Sequence, residues 1–190
     1  MSDGLTAVGL SASPNGGSSQ SGAMLDIALL LLRGVGARVE RHDLSALPAD
    51  ALLGRVRSPR LDAVRDAVLA ADLVVVATPI YRATYSGLLK VFFDLLPNAA
   101  LAGKVAVPIA SGGSLAHQLA IEHGLRPLLG SLGAIVVATG VYASPQQFSN
   151  GSPEASVIER VERSVAEALC VSRGYESRSR PAPALSTHER

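Results

Sequence analysis

Tryptophan is absent from this 190-residue chain, cysteine occurs once, and aromatic residues make up only 4%. A core this poor in rings must be built from Val, Leu, Ile and Ala. The lone Cys170 excludes an internal disulfide framework. Charge is scarce too: 17 basic residues stand against 16 acidic ones, for a net charge of +1. That balance offers nucleic acid no electrostatic footprint, and no basic stripe is interleaved with aromatics. The four histidines, His42, His117, His123 and His188, share no ligand spacing with Cys or carboxylates, so no metal site is expected. The N-terminus has no charged segment followed by an apolar core, so no signal peptide is expected and a cytoplasmic setting fits. No charged residue occurs between Pro127 and Pro153, but Gly130, Gly133, Gly140, Ser144 and Pro145 divide that stretch. No unbroken apolar run of about 20 residues is left to span a bilayer.

What the chain has is aliphatic patterning. Apolar residues reach 48%, enough to bury a sizeable core in one domain. "LTAVGL" (5–10), "ARVERHDL" (37–44), "DLVVVATP" (72–79), "KVAVPIAS" (104–111) and "AIVVATGVY" (134–142) read as five strands. "MLDIALLLLRGVG" (24–36), "SPRLDAVRDAVLAA" (58–71), "SGLLKVFFDLL" (86–96), "LAHQLAIEHGLRPLLGSL" (115–132) and "EASVIERVERSVAEALCVS" (154–172) read as helices, the fourth with a kink at Pro127. Alternation of this kind predicts an α/β fold, a doubly wound five-stranded parallel sheet with helices on both faces. Residues 1–172 form the expected domain. The tail, 173–190, turns to Arg, Ser and Pro and is expected to be mostly disordered or an arm.

Ligands of such sheets bind outside the carboxyl ends of the strands. Three strand exits carry unusual chemistry. "SASPNGGSSQSGAML" (11–25) places five serines, three glycines and two amides before a helix N-terminus, where free N–H groups and the helix dipole attract anions. It has neither a Walker pattern nor Gly-x-Gly-x-x-Gly, so one phosphate monoester suits it better than a triphosphate. Alone, the loop leaves two readings open: this cradle, or a solvated turn with N-caps. "TPIYRATYSGLLK" (78–90) holds two of the seven aromatics, and a flat ring can lie against its backbone; a Pro/Tyr turn packed on the sheet rim is the alternative. Lys90 and Asp94, four residues apart, read as a helix-surface pair. "ASGGSLAHQ" (110–118) leaves backbone amides open at Gly112-Gly113, and Ser114 can cap the next helix. His117 reads as a structural or interface residue, His123 and Cys170 as packing residues.

Together, "LSASP...SQS", "VVVATPIYRATYSGLLKVFFDLLP", "LAGKVAVPIASGGSLAHQLA" and "LRPLLGSLGA" resemble the NAD(P)H-dependent FMN reductases of flavodoxin-like fold. The nearest likeness is to those that supply reduced flavin to sulfonate monooxygenases. The resemblance covers about residues 5–170. It implies FMN and NAD(P)H as ligands, a homodimer or homotetramer, and no catalytic side chain, because the flavin carries the hydride chemistry. It also implies that Ser11, Ser13, Ser19, Gln20 and Ser21 hold the FMN phosphate. Pro79, Ile80, Tyr81 and Arg82 would line the flavin ring and ribityl chain, and Ser111, Gly112, Gly113 and Ser114 would meet the ring's polar edge. The chain departs from its relatives at Asn15, where they commonly carry Arg, and so lacks one charge-assisted phosphate contact. Some sulfonate-group members carry a one-residue π-type insertion after the Gly-Gly loop, at a subunit interface, and His123 falls at that position. Two alternatives share the fold. A quinone or azo reductase would hold its flavin tightly. A flavodoxin-type electron carrier would be strongly acidic, which this chain is not.

Overall fold

A computed structural model describes residues 4–179. In chain order it contains β1 (Thr6–Ser11), α1 (Gln20–Gly34), β2 (Arg38–Asp43), the single turn α2 (Ala49–Leu52), α3 (Pro59–Ala70) and β3 (Leu73–Tyr81). Then come β4 (Thr84–Tyr85), α4 (Gly87–Phe93), β5 (Val105–Ser111), α5 (Arg126–Ser131), β6 (Ile135–Val136) and β7 (Val141–Ala143). A small hairpin of β8 (Phe148–Ser149) and β9 (Ser152–Pro153) leads into α6 (Ala155–Ser179). The parallel strands stand in the order β2-β1-β3-β5, and β6 and β7 both pair with the outer side of β5. This is the expected flavodoxin-like sheet, its fifth position shared by two short strands. β4 adds an antiparallel hairpin to the end of β3.

Both faces of the sheet are covered, so the strands read as continuous apolar runs. Strand alternation sends Leu73, Val75 and Ala77 of β3 toward α1 and α6, and Val74 and Val76 toward α3, α4 and α5. α1 buries Met24, Leu25, Ala28, Leu29 and Leu32 completely. Each of the larger side chains contributes about 1.5–3 kcal/mol. Its approach to β1 requires Gly9, where a Cβ would stand 2.6 Å from Leu29 Cδ1. Side-chain caps start the helices: Ser19 accepts from Gly22 N, Ser58 accepts from Leu61 N with Pro59 following, and Ser86 accepts from Leu89 N. Among the described residues no helix is long and apolar enough to cross a membrane.

Two elements differ from expectation. The helix expected over 115–132 is broken into a 3₁₀ turn at Leu115–His117, a π turn at Ile121–Leu125 and then α5. The Arg126 N–H donates to Ile121 O, an i→i+5 bond, and Pro127 follows at the start of α5, where its missing N–H is tolerated. His123 lies inside the π turn, at the place the resemblance marked. It is exposed, as is Cys170, so neither is a packing residue. The second difference is the strand expected over 134–142, which is interrupted at 137–140. Side chains satisfy the interruption. Glu167 accepts from Ala138 N at 2.6 Å and Thr139 N at 2.9 Å, and Arg126 donates to Val137 O at 2.8 Å and Ala138 O at 3.1 Å. Arg160 donates to Gly140 O and Ser164 to Thr139 O, each at 2.6 Å. The closing helix also continues past 172 to Ser179. The expected tail from 180 to 190 lies outside the described residues.

Candidate functional site

The exits of β1, β3 and β5 meet at one rim of the sheet and enclose a cleft of ≈ 310 Å³. Of the residues expected there, Ser13, Ser19, Gln20, Pro79, Ile80, Tyr81, Ser111, Gly112 and Gly113 line it. Asn15, Ser18 and Pro145 line it as well. Asn15 was visible only as a departure from relatives, and Pro145 belongs to a strand exit whose register the sequence did not reveal.

Four expected residues do not line the cleft. Ser11 ends β1 on the same face as Gly9, so it points under α1; it is fully buried and its Oγ has no hydrogen-bond partner. Ser21 is buried in the first turn of α1, its Oγ 3.4 Å from Ser19 Oγ. Arg82 sits exposed at the tip of the β3–β4 hairpin, past the cleft wall. Ser114 is exposed one residue beyond it, with its carbonyl taken by the Tyr142 hydroxyl at 2.6 Å.

The β1 exit is built to accept an anion. Ser13 Oγ accepts from Asn15 N at 3.2 Å, and Ser19 Oγ accepts from Gly22 N at 3.1 Å. The Ser13 hydroxyl keeps its own proton to donate, and that of Ser19 can turn outward or to Ser21 Oγ, 3.4 Å away. The backbone N–H groups of Gln20 and Ser21, in the first turn of a 15-residue helix, have no partner among the described residues. Among the described residues, no charged one lines the cleft. Asp43, beside this loop, is unfavourable to an anion: its Oδ2 stands 3.4 Å from where a Cβ on Gly16 would be.

The other two exits form flat walls. At β3, Thr78 Oγ1 accepts from Ser86 N at 3.0 Å and Ser86 Oγ donates to Ala12 O at 2.7 Å, tying this exit to the first. Arg82 and Ala83 take φ of 51° and 69°, the left-handed pair of a two-residue hairpin turn. Tyr81 is left 47% exposed, an aromatic face open to a ligand. At β5, Gly112 N donates to Ala143 O at 3.2 Å, and Gly113 makes no hydrogen bond among the described residues. Burial pushes the Tyr142 phenol above its ordinary pKa, so it stays a neutral donor. His117 and His123 lie outside the cleft lining. Lys90 and Asp94 form the expected helix-surface ion pair at 2.5 Å.

An anion cradle at one end, an open aromatic face and bare peptide groups at the other, and no acid–base side chain between them describe a site for a flat phosphorylated cofactor. Residues 5–149 match the family model of NADPH-dependent FMN reductases. The chain belongs to that family. The FMN reductase (NADPH) of Pseudomonas putida is 36% identical over 154 residues, covering 80% of this chain and 78% of its own. The FMN reductase (NADPH) of Escherichia coli is 42% identical over 130 residues, 68% of each chain. The solved apo structure of an NADH:FMN oxidoreductase (EMOB) superposes with a TM-score of 0.81 at 36% identity, covering 88% of this chain and 89% of that one. The chain is therefore an oxidoreductase of flavodoxin-like fold, with flavin and nicotinamide as its cofactors. The residues present fit FMN in kind: the unpartnered Gln20 and Ser21 amides and the Ser13 and Ser19 hydroxyls are donors that a phosphate monoester can use.

Proposed function

We propose that this cleft binds FMN and presents it to NAD(P)H, so that hydride passes from nicotinamide to flavin. The observation that carries the reading is the convergence of three strand exits, rich in Ser, Gly and Pro-Tyr, on one cleft. When bound, FMN supplies the hydride-accepting chemistry. The chain's part is to bind and orient. Ser13, Ser19 and the amides of Gln20 and Ser21 anchor the phosphate. Tyr81 and the backbone from Pro79 to Tyr81 support the ring, and the peptides of Gly112 and Gly113 meet its polar edge. Placing both reactants in register converts a bimolecular encounter into a nearly unimolecular one.

In this reading the reduced FMN leaves for a flavin-dependent monooxygenase. Asn15 in the lining, uncharged where relatives commonly carry Arg, supports FMN as a departing substrate rather than a fixed prosthetic group. The protein acts in the cytoplasm as a homodimer or homotetramer, and Leu115 and Leu119, each more than half exposed, favour such contacts. Its reductase domain takes in residues 1–172, and α6 carries its last helix on to Ser179. The test is NAD(P)H oxidation with and without added FMN. Turnover that depends on added FMN is expected with NADH, NADPH or both. No FMN-dependent turnover with either nucleotide would refute the reading. Co-purification of stoichiometric FMN with rapid quinone turnover would instead identify a flavin-bound quinone or azo reductase.

A further inference from the structure

The Gly112–Ser114 loop is held from behind at two points, both on β7. Gly112 N donates to Ala143 O at 3.2 Å, and the Tyr142 hydroxyl donates to Ser114 O at 2.6 Å. Between the anchors, the Gly113 peptide is left unbonded at the cleft wall. The brace leaves no slack: a Cβ on Gly112 would lie 2.5 Å from Tyr142 Oη and 3.2 Å from Ile80 Cβ. Tyr142 itself is 8% exposed and does not line the cleft. Its ring walls a separate cavity of ≈ 460 Å³.

We propose that Tyr142 is a positioning residue for flavin binding, presetting the Gly112–Ser114 backbone so that its open peptides meet the ring without reorganisation. This rests on the flavin reading of the cleft. A glycine-rich loop is otherwise costly to order, because glycine has the most conformational freedom to lose. Fixing it in the free protein moves that cost from binding to folding. The demand for glycine at 112 follows from the same contact, since the phenol oxygen occupies the space a side chain would need.

The experiment is a double-mutant cycle on Tyr142→Phe and Gly112→Ala, read by quenching of FMN fluorescence and by steady-state kinetics. Phe keeps the ring, whereas truncation to Ala would enlarge the neighbouring cavity. Tyr142→Phe is expected to weaken FMN binding roughly three- to tenfold, the effect of one net hydrogen bond. The loss is expected in the FMN KM more than in kcat, with a change in the visible band of bound flavin. Gly112→Ala is expected to weaken FMN binding about tenfold or more in the parent. In the Tyr142→Phe background its penalty should shrink at least threefold, roughly, because the closest clashing atom is gone. A parent protein that binds no FMN overturns this inference and the flavin reading together. A parent that binds FMN, with equal binding by Tyr142→Phe or strictly additive effects in the cycle, overturns only the role of Tyr142.

Discussion

Replacing Asn15 by Arg should tighten FMN binding, and the structure sets the size of the effect. Asn15 is exposed on the cleft wall, and no hydrogen bond to its side chain would be lost. An arginine there adds one hydrogen bond to a charged group, a gain of about 1.5–3 kcal/mol. Two terms work against it. Asp43, beside Gly16, competes for the guanidinium; across about 6 Å of water-like medium that attraction is ~0.7 kcal/mol. Ordering the long side chain consumes part of the remainder. A net of about 0.5–2 kcal/mol remains, which is roughly two- to thirtyfold in Kd. The assay is fluorescence titration with FMN and, as control, riboflavin, which lacks the phosphate. The gain should appear for FMN alone and fade near 1 M salt, where the screening length falls to about 3 Å. Equal tightening of riboflavin, or no change for FMN, would refute the placement of the phosphate at this loop.

Arg126→Met should destabilise the fold by roughly 1–2 kcal/mol in chemical denaturation, chiefly because it removes the donor to the part-buried Val137 carbonyl; an unchanged midpoint would show that water replaces the guanidinium without cost. Stability should also depend on acid pH. The Arg126 side-chain hydrogen bond holds the Glu122 carboxyl below its ordinary value. Burial pushes Glu167 up, but the Thr139 and Ala138 amides, with the Thr139 hydroxyl and the Arg126 charge, outweigh it and leave its pKa lowered. A depressed pKa stabilises above the unfolded value near 4.5 and loses that contribution as pH falls through the folded value. Thermal melts should therefore decline below about pH 4.5, and Glu167→Gln should flatten the decline; identical pH slopes in parent and variant would count against the clasp.

Most of the fold was legible because the strands are buried on both faces and their β-branched runs are bounded by clear turns. β3 and β5 stand within one or two residues of the expected ends. The helix over 115–132 was misread because periodicity cannot distinguish 3.6 residues per turn from a single wider turn. That turn is set by tertiary contacts: Ile121 against Gly140 and Gly124 against Thr84. The broken last strand was misread for a related reason. Its central backbone groups are satisfied by side chains outside the strand, Arg126 from α5 and Arg160, Ser164 and Glu167 from α6. At the site, loops with Ser, Gly and Pro-Tyr at strand exits were enough to locate the cleft. Side-chain direction was less accessible. Ser11 and Ser21 belong to the motif, yet strand alternation and the helical wheel turn both inward. Asp43 and Tyr142 influence the site from neighbouring strands, with no signal in the motifs themselves.

The interruption at 137–140 also governs how this protein meets its neighbours. It lies on the outermost strand position of the sheet, where unpaired N–H and C=O groups ordinarily invite a strand from another molecule. Here the Val137, Ala138, Thr139 and Gly140 carbonyls and two amides are already occupied by side chains of the same chain. The opposite rim is blunted by Arg38, Glu40 and Arg41 on β2. A parallel sheet with so apolar an interior is thus guarded at both margins, by occupied backbone groups at one and charged side chains at the other. Loss of the Arg126 clasp would reopen one margin, so solubility at high concentration depends on the same side chains that hold the last strand in place.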